Sequence, residues 1–149
     1  MFTGIITHTG RFIKKTKGFE FKVPAVPAKK ITKGTSIAIN GVCLTVRNRI
    51  GTTIYVDIMP ETLEKTILGD LKFDDQVNLE LPVTPQSFLS GHLLTGHMDG
   101  LAKLETITKA GNSRILGFSI PGSLFKHVVR KGSIAINGVS LTVIEAGKN

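Results

Sequence analysis

The sequence predicts an all-β chain built as two related small units in tandem, and three observations carry that expectation. An eleven-residue stretch occurs twice, each occurrence has Asn-Gly near its centre, and the other apolar residues fall in short alternating runs. No stretch has the 3.6-residue spacing of a long amphipathic helix.

The repeat is the strongest signal. Ser36-Ile-Ala-Ile-Asn-Gly-Val-Cys-Leu-Thr-Val46 returns as Ser133-Ile-Ala-Ile-Asn-Gly-Val-Ser-Leu-Thr-Val143, changed only where Cys43 becomes Ser140. A weaker echo links Met1-Phe-Thr-Gly-Ile-Ile6 with Leu93-Leu-Thr-Gly-His-Met98. The period is too long for a solenoid and suits two sibling domains. A boundary is expected at Thr84-Pro-Gln-Ser87, dividing the chain into 1–87 and 88–149.

Each long copy predicts a hairpin. Asn40-Gly41 and Asn137-Gly138 suit a type I′ turn, whose two central residues both need positive φ. Gln76–Leu81 alternates like a half-buried strand and Thr53–Ile58 does so less strictly. Pro60–Thr66 predicts a short helix with proline in its first turn. Many short strands at close spacing favour a barrel or sandwich.

A two-residue turn fixes which side chains oppose each other. Pairing Ile39 with Val42 puts Ile37, Ile39, Val42, Leu44 and Val46 on one face, enough to fill a barrel interior. Ser36, Ala38, Cys43 and Thr45 line the other, and the second copy sets Ser133, Ala135, Ser140 and Thr142 in the same places. An ordinary solvated face would carry Lys, Glu or Arg. Small hydroxyl and thiol groups make a shallow shelf on which a flat heterocycle can lie. Equally, they let another backbone pack closely. Two matching shelves would suit two similar ligands.

Composition narrows the classes. The net charge of +8 invites a nucleic-acid reading, but the basic residues are scattered, there is no Trp, and Tyr55 is the only Tyr. A stacking platform for single strands is therefore not expected, and no nucleic-acid partner is assigned. No apolar run reaches the length of a membrane span, and no basic segment precedes an apolar one at the start of the sequence, so a cytoplasmic protein is expected. Cys43 is the only cysteine, which excludes an intrachain disulfide and a thiolate cluster, and no metal site is expected. His92 and His97 sit in the Gly-rich segment Gly91–Gly100, at a spacing that matches no metalloprotease motif. As a residue type, histidine serves general acid–base chemistry near neutral pH, or simply stabilises a turn. Glu61 and Thr62 either cap the short helix or aim a carboxylate and a hydroxyl at a ligand.

Taken in order, Met1–Ile6, the repeated Asn-Gly-Val-(Cys/Ser)-Leu-Thr-Val, Glu61-Thr-Leu63 with Gly69-Asp-Leu71, Val77-Asn-Leu-Glu80, and Gly91-His92 with Gly96-His97 resemble riboflavin synthase over essentially the whole sequence. The resemblance implies tandem six-stranded Greek-key β-barrels, a homotrimer, and conversion of two 6,7-dimethyl-8-ribityllumazine molecules into riboflavin and a ribitylamino-pyrimidinedione by four-carbon transfer. It implies no metal and no separate cofactor, because the lumazine ring is its own electron sink. It implies a site between the N-terminal barrel of one subunit and the C-terminal barrel of another. Matching positions imply substrate-binding roles for Phe2, Thr3, Gly4, Ser36, Cys43, Thr45, Met59, Glu61, Thr62, His97, Met98, Ser140 and Thr142. Catalytic roles fall to His97, Cys43, Ser140 and Lys131. The second copy has no counterpart of Tyr55–Leu81, so its barrel is expected to be incomplete, and the sequence to be truncated at its C-terminal end relative to the family. A non-catalytic lumazine- or riboflavin-binding protein is the alternative, although such antenna relatives tend to lose the second-site residues that Ser140 and Thr142 retain here.

Overall fold

The computed structural model describes residues 1–147, leaving the last two residues of the expected second unit outside the described residues. Strands β1 (His8–Lys15), β2 (Phe19–Lys22), β3 (Ser36–Ile39), β4 (Val42–Ile50), β5 (Thr53–Val56) and β6 (Gln76–Glu80) close into a barrel in the order β1-β2-β5-β4-β3-β6. Closure leaves no free strand edge in this unit. Register shifts between Phe12 and Lys14 on β1, and between Val46 and Asn48 on β4, supply the local bends that closure needs.

The β3–β4 register is the expected one: Ile39 faces Val42, Ala38 faces Cys43, Ile37 faces Leu44 and Ser36 faces Thr45. Both turn residues have positive φ, 48° at Asn40 and 84° at Gly41, as a type I′ turn requires. The predicted inward face is buried throughout and joins Phe12, Phe19, Phe21, Ile54, Val56, Val77 and Leu79 in one core. Phe12 packs its ring against Phe19 and Phe21 at centroid distances of 6.1 and 5.5 Å. Helix α1 (Ala25–Lys30) buries Pro27 and Ala28, and Ile31 follows it into the core. Helix α2 (Pro60–Glu64) has proline in its first turn, as the sequence predicts, and leads through a 3-10 turn (Ile67–Asp70) that buries Leu68.

The second unit repeats the order strand, strand, helix, strand, strand. It comprises β7 (Lys103–Ala110), β8 (Ser113–Ser119), α3 (Gly122–Phe125), β9 (Ser133–Ile136) and β10 (Val139–Thr142). Its strands form two separate two-stranded sheets. The β9–β10 register copies that of β3–β4, with Ala135 facing Ser140 and Ser133 facing Thr142. Ile134, Ile136, Val139, Leu141 and Val143 are nevertheless only half-buried, while Leu104, Ile107, Leu116, Val129 and Ile144 are exposed. The physical reason is coverage. Among the described residues no strand lies against β8 and β9 as β5 and β6 lie against β2 and β3.

The two units meet through reciprocal contacts between equivalent residues of the repeat. Phe2 and Leu94, which occupy equivalent places in the weaker echo, form an antiparallel bridge with N–H···O distances of 2.8 and 3.0 Å. The two Asn-Gly turns abut: a Cβ added at Gly41 would stand 2.7 Å from the backbone of Gly138, and one added at Gly138 would stand 2.7 Å from Gly41 N. Asn78 on β6 braces the contact by donating to Asn137 O at 3.0 Å.

This contact separates two costs that usually travel together. Gly111 also has positive φ, 60°, but nothing within 4 Å of an added Cβ. Gly111→Ala should therefore cost about 1–2 kcal/mol for left-handed backbone alone. Gly138→Ala should lose roughly a further 1–3 kcal/mol for overpacking against the first turn. Urea unfolding of both variants measures the difference.

Candidate functional site

Residues directly opposite on neighbouring antiparallel strands share a face. Cys43 on β4, Ala38 on β3 and Glu80 on β6 therefore form one row across the outer surface of the barrel. Onto this row comes backbone from the second unit: Cys43 N donates to Gly96 O at 2.8 Å. The second hairpin receives the first unit in the same way, with Ser140 N donating to Gly4 O at 2.8 Å. Both glycines have positive φ, and a Cβ at Gly96 would stand 2.6 Å from Cys43 Cβ, one at Gly4 2.8 Å from Ser140 Cβ. At this row the small side chains allow close backbone approach, and Cys43 and Ser140 stay half-buried. The next row outward stays open, with Ser36 half-buried and Thr45, Ser133 and Thr142 exposed.

The crossing segments bring further polar groups to each shelf. At the second, His92 Nδ1 and Ser140 Oγ are 2.7 Å apart, and His92 N donates to Thr3 O at 3.0 Å. The carboxylate of Glu80, 5% exposed, accepts from Thr3 N and Thr3 Oγ1, each at 2.6 Å, and from Gly4 N at 3.0 Å. At the first shelf, His97 follows Gly96, is exposed, and takes a backbone bond from its N–H to Thr95 Oγ1 at 3.4 Å. Met98 turns inward and packs against the barrel core.

Asp99, two residues after His97, adds a small charge effect on Lys65 just after helix α2. Met59, just before α2, is 69% exposed. Glu61 is exposed but paired, accepting from Lys65 Nζ at 2.7 Å. The hydrogen bond from Lys65, then its charge, holds the Glu61 carboxyl below the usual carboxylate range. The same hydrogen bond and charge raise Lys65 above the ordinary lysine value. Thr62 is half-buried, and its carbonyl accepts from Thr66 Oγ1 at 2.7 Å.

Two expected site residues sit in settings that spacing did not reveal. Phe2 bridges to Leu94 and is 1% exposed, so its ring has no free face for a ligand. Lys131 is exposed at φ 65°, where the first copy has Gly34 at φ 88°. Both donate a backbone N–H at 2.8 Å to the valine that ends the repeated stretch, Lys131 to Val143 O and Gly34 to Val46 O. A lysine in this region costs about 1 kcal/mol or more, a cost glycine at the sibling position avoids. Glu80 is a group that sequence reasoning did not single out, and His92 was weighed with His97 as an acid–base or turn histidine but given no site role. The signal for His92 was its place two residues before the bridge-forming Leu94, visible only once the echo is folded onto Phe2. Two shallow depressions, of about 250 Å³ beside Thr9, Arg11 and Lys22 and about 500 Å³ beside Lys109 and Arg114, lie away from both shelves.

A lumazine binding domain model matches residues 3–82 and again 95–149, once for each copy. The riboflavin synthase of Actinobacillus pleuropneumoniae is 40% identical over 149 residues, covering 97% of this chain and 69% of that protein. The riboflavin synthase of Bacillus subtilis (strain 168) is 39% identical, covering 96% and 68%. Among solved structures, LumP complexed with 6,7-dimethyl-8-(1'-D-ribityl) lumazine superposes with a TM-score of 0.79 at 28% identity, covering 95% of this chain and 78% of that one.

The Glu61–Lys65 pair gives a signed pH expectation. A lowered carboxyl contributes stability above its ordinary pKa and loses it as pH falls through the folded value. A raised lysine contributes below its ordinary pKa and loses it as pH rises through the folded value. Lys65→Met should return Glu61 to an ordinary carboxyl titration at higher pH, read by NMR of its side-chain carboxyl, with little change in overall stability because the pair is solvent-exposed.

Proposed function

The chain belongs to the riboflavin synthase family, and on that premise we propose that it is a transferase that makes riboflavin from two molecules of 6,7-dimethyl-8-ribityllumazine. The observation that carries the reading is the pairing of two sibling hairpins, each with a hydroxyl-bearing outer row left open beside a segment of the other unit. Two similar shelves suit a reaction whose donor and acceptor are the same molecule. One lumazine yields a four-carbon unit and the other receives it, so the protein's share is to align two rings and move protons. Alignment contributes roughly 7–11 kcal/mol to such a step, and placed acid–base groups about 10²–10⁴-fold.

In this reading Ser36, Cys43, Thr45, Met59, Glu61 and Thr62 hold one ring on the first unit, residues 1–87. Ser140 and Thr142, with Lys131 beside the hairpin, receive the other on the second unit, residues 88–149. Thr3 and Gly4 frame the second shelf, as Met98 and His97 frame the first, and His97 is the proton-transfer group there. Phe2 acts by holding the junction. The open outer rows suit a site completed by another subunit, which makes a homotrimer in the cytoplasm part of the proposal. No helix among the described residues is long and apolar enough to cross a membrane.

The alternative of binding without turnover draws on the likeness to LumP, whose structure is a complex with a lumazine. Purified protein incubated with 6,7-dimethyl-8-ribityllumazine separates the two. Riboflavin fluorescence should grow in, with two lumazines consumed for each riboflavin formed, and His97→Ala should slow it by about 100-fold or more. Tight lumazine binding with no riboflavin formed would establish the carrier instead.

A further inference from the structure

We propose that Glu80 is a positioning residue for the His92–Ser140 pair, acting through the peptide units of Thr3 and Gly4. This rests on the reading of the second shelf as a ligand site, and its argument is one of hydrogen-bond direction. Glu80 is buried on the outer face of β6, and among the described residues no basic side chain pairs with it. Its partners are donors only: Thr3 N and Thr3 Oγ1 on one oxygen, Gly4 N on the other. The hydroxyl of Thr3, having given its proton to Glu80, accepts from Ile5 N at 3.3 Å.

The same two residues present their carbonyls to the second shelf. Thr3 O accepts from His92 N and Gly4 O from Ser140 N. Donor ends therefore point to the carboxylate and acceptor ends to the two residues whose side chains meet at 2.7 Å. Bonds aligned in this sense strengthen one another. The separation and angle of imidazole and hydroxyl follow from where Glu80 holds the segment.

The first shelf lacks such an anchor. At the sibling position Thr95 Oγ1 accepts from His97 N, and among the described residues no carboxylate receives the Thr95 or Gly96 amide. Loss of Glu80 should consequently free the Thr3–Gly4 segment and act on the second shelf through it. Glutamine is the informative replacement. It keeps the volume but turns one acceptor into an NH2 that must face an N–H or O–H donor. Aspartate keeps the charge and falls one methylene short.

The test uses the full 149-residue protein. Histidine side-chain 15N spectra of the ligand-free protein, with Ser140→Ala as reference, identify the resonance shift that marks loss of the His92–Ser140 bond. E80Q should reproduce that shift while the methyl resonances of Ile37, Ile54 and Val77 in the barrel core hold their positions. With 6,7-dimethyl-8-ribityllumazine, E80Q should lower kcat/KM by up to about 100-fold, as expected when Ser140, which receives a ring in this reading, is misplaced. An unmoved His92 resonance in a folded E80Q overturns the proposal. If E80Q does not fold, amide exchange of the unsubstituted protein decides: slow exchange at Thr3 and Gly4, with a smaller His92 shift in T3A, supports it, and fast exchange at Gly4 overturns it. A shifted His92 in a protein that makes no riboflavin supports the positioning role while refuting the enzymatic reading, so the two failures are distinguishable.

Discussion

Two backbone hydrogen bonds organise this molecule: Cys43 N to Gly96 O, and Ser140 N to Gly4 O. Each joins a hairpin of one unit to a Thr-Gly segment of the other, so neither unit completes its own outer face. The bonds need close backbone approach, which is why glycine with positive φ stands on one side and a thiol or hydroxyl residue no larger than Cys on the other. The histidines at the two shelves are delivered by the same crossing. His97 arrives at the first hairpin because Gly96 docks there, and His92 reaches Ser140 because it hangs from Thr3.

The crossing also explains an asymmetry of burial. The first unit is a sealed barrel with a continuous apolar core, and Phe2 adds a fully buried ring where the units join. The second unit shares the hairpin, its register and its turn, yet the residues equivalent to that core are half-buried. Nearly identical sequence in the two hairpins thus lies in different surroundings. Burial belongs to what the neighbouring strands cover, and a pattern of alternating residues specifies only which face would be covered.

That distinction sets how much could be read from the sequence beforehand. The hairpins, their I′ turns and their register followed from Asn-Gly and period-two alternation, and the short helix followed from Pro60. Strands β1, β7 and β8 did not, because lysines, glycines and bulges interrupt their alternation, and β2 alternates over only four residues. The outer row of small residues was legible as a surface that avoids charge, but local pattern left open whether backbone or ligand would cover it. The structure divides it, with backbone on the Cys43 and Ser140 row and open surface on the Ser36–Thr45 row. Glu80 was invisible as a functional group because its partners, Thr3 and Gly4, lie more than seventy positions away. Long-range hydrogen bonds leave no local mark.

The abutting turn tips carry a consequence for how the sequence is free to vary over generations. With Gly41 and Gly138 pressed backbone to backbone, neither tip accepts a side chain unless the other retreats. A duplicated segment ordinarily drifts, each copy losing its likeness to the other under separate selection. Here the copies are each other's environment, so a substitution tolerated by one must be tolerated by the mould it is pressed against. That mutual casting bears on the tips themselves, Asn40-Gly41 and Asn137-Gly138, which are identical within a protein whose halves have otherwise diverged.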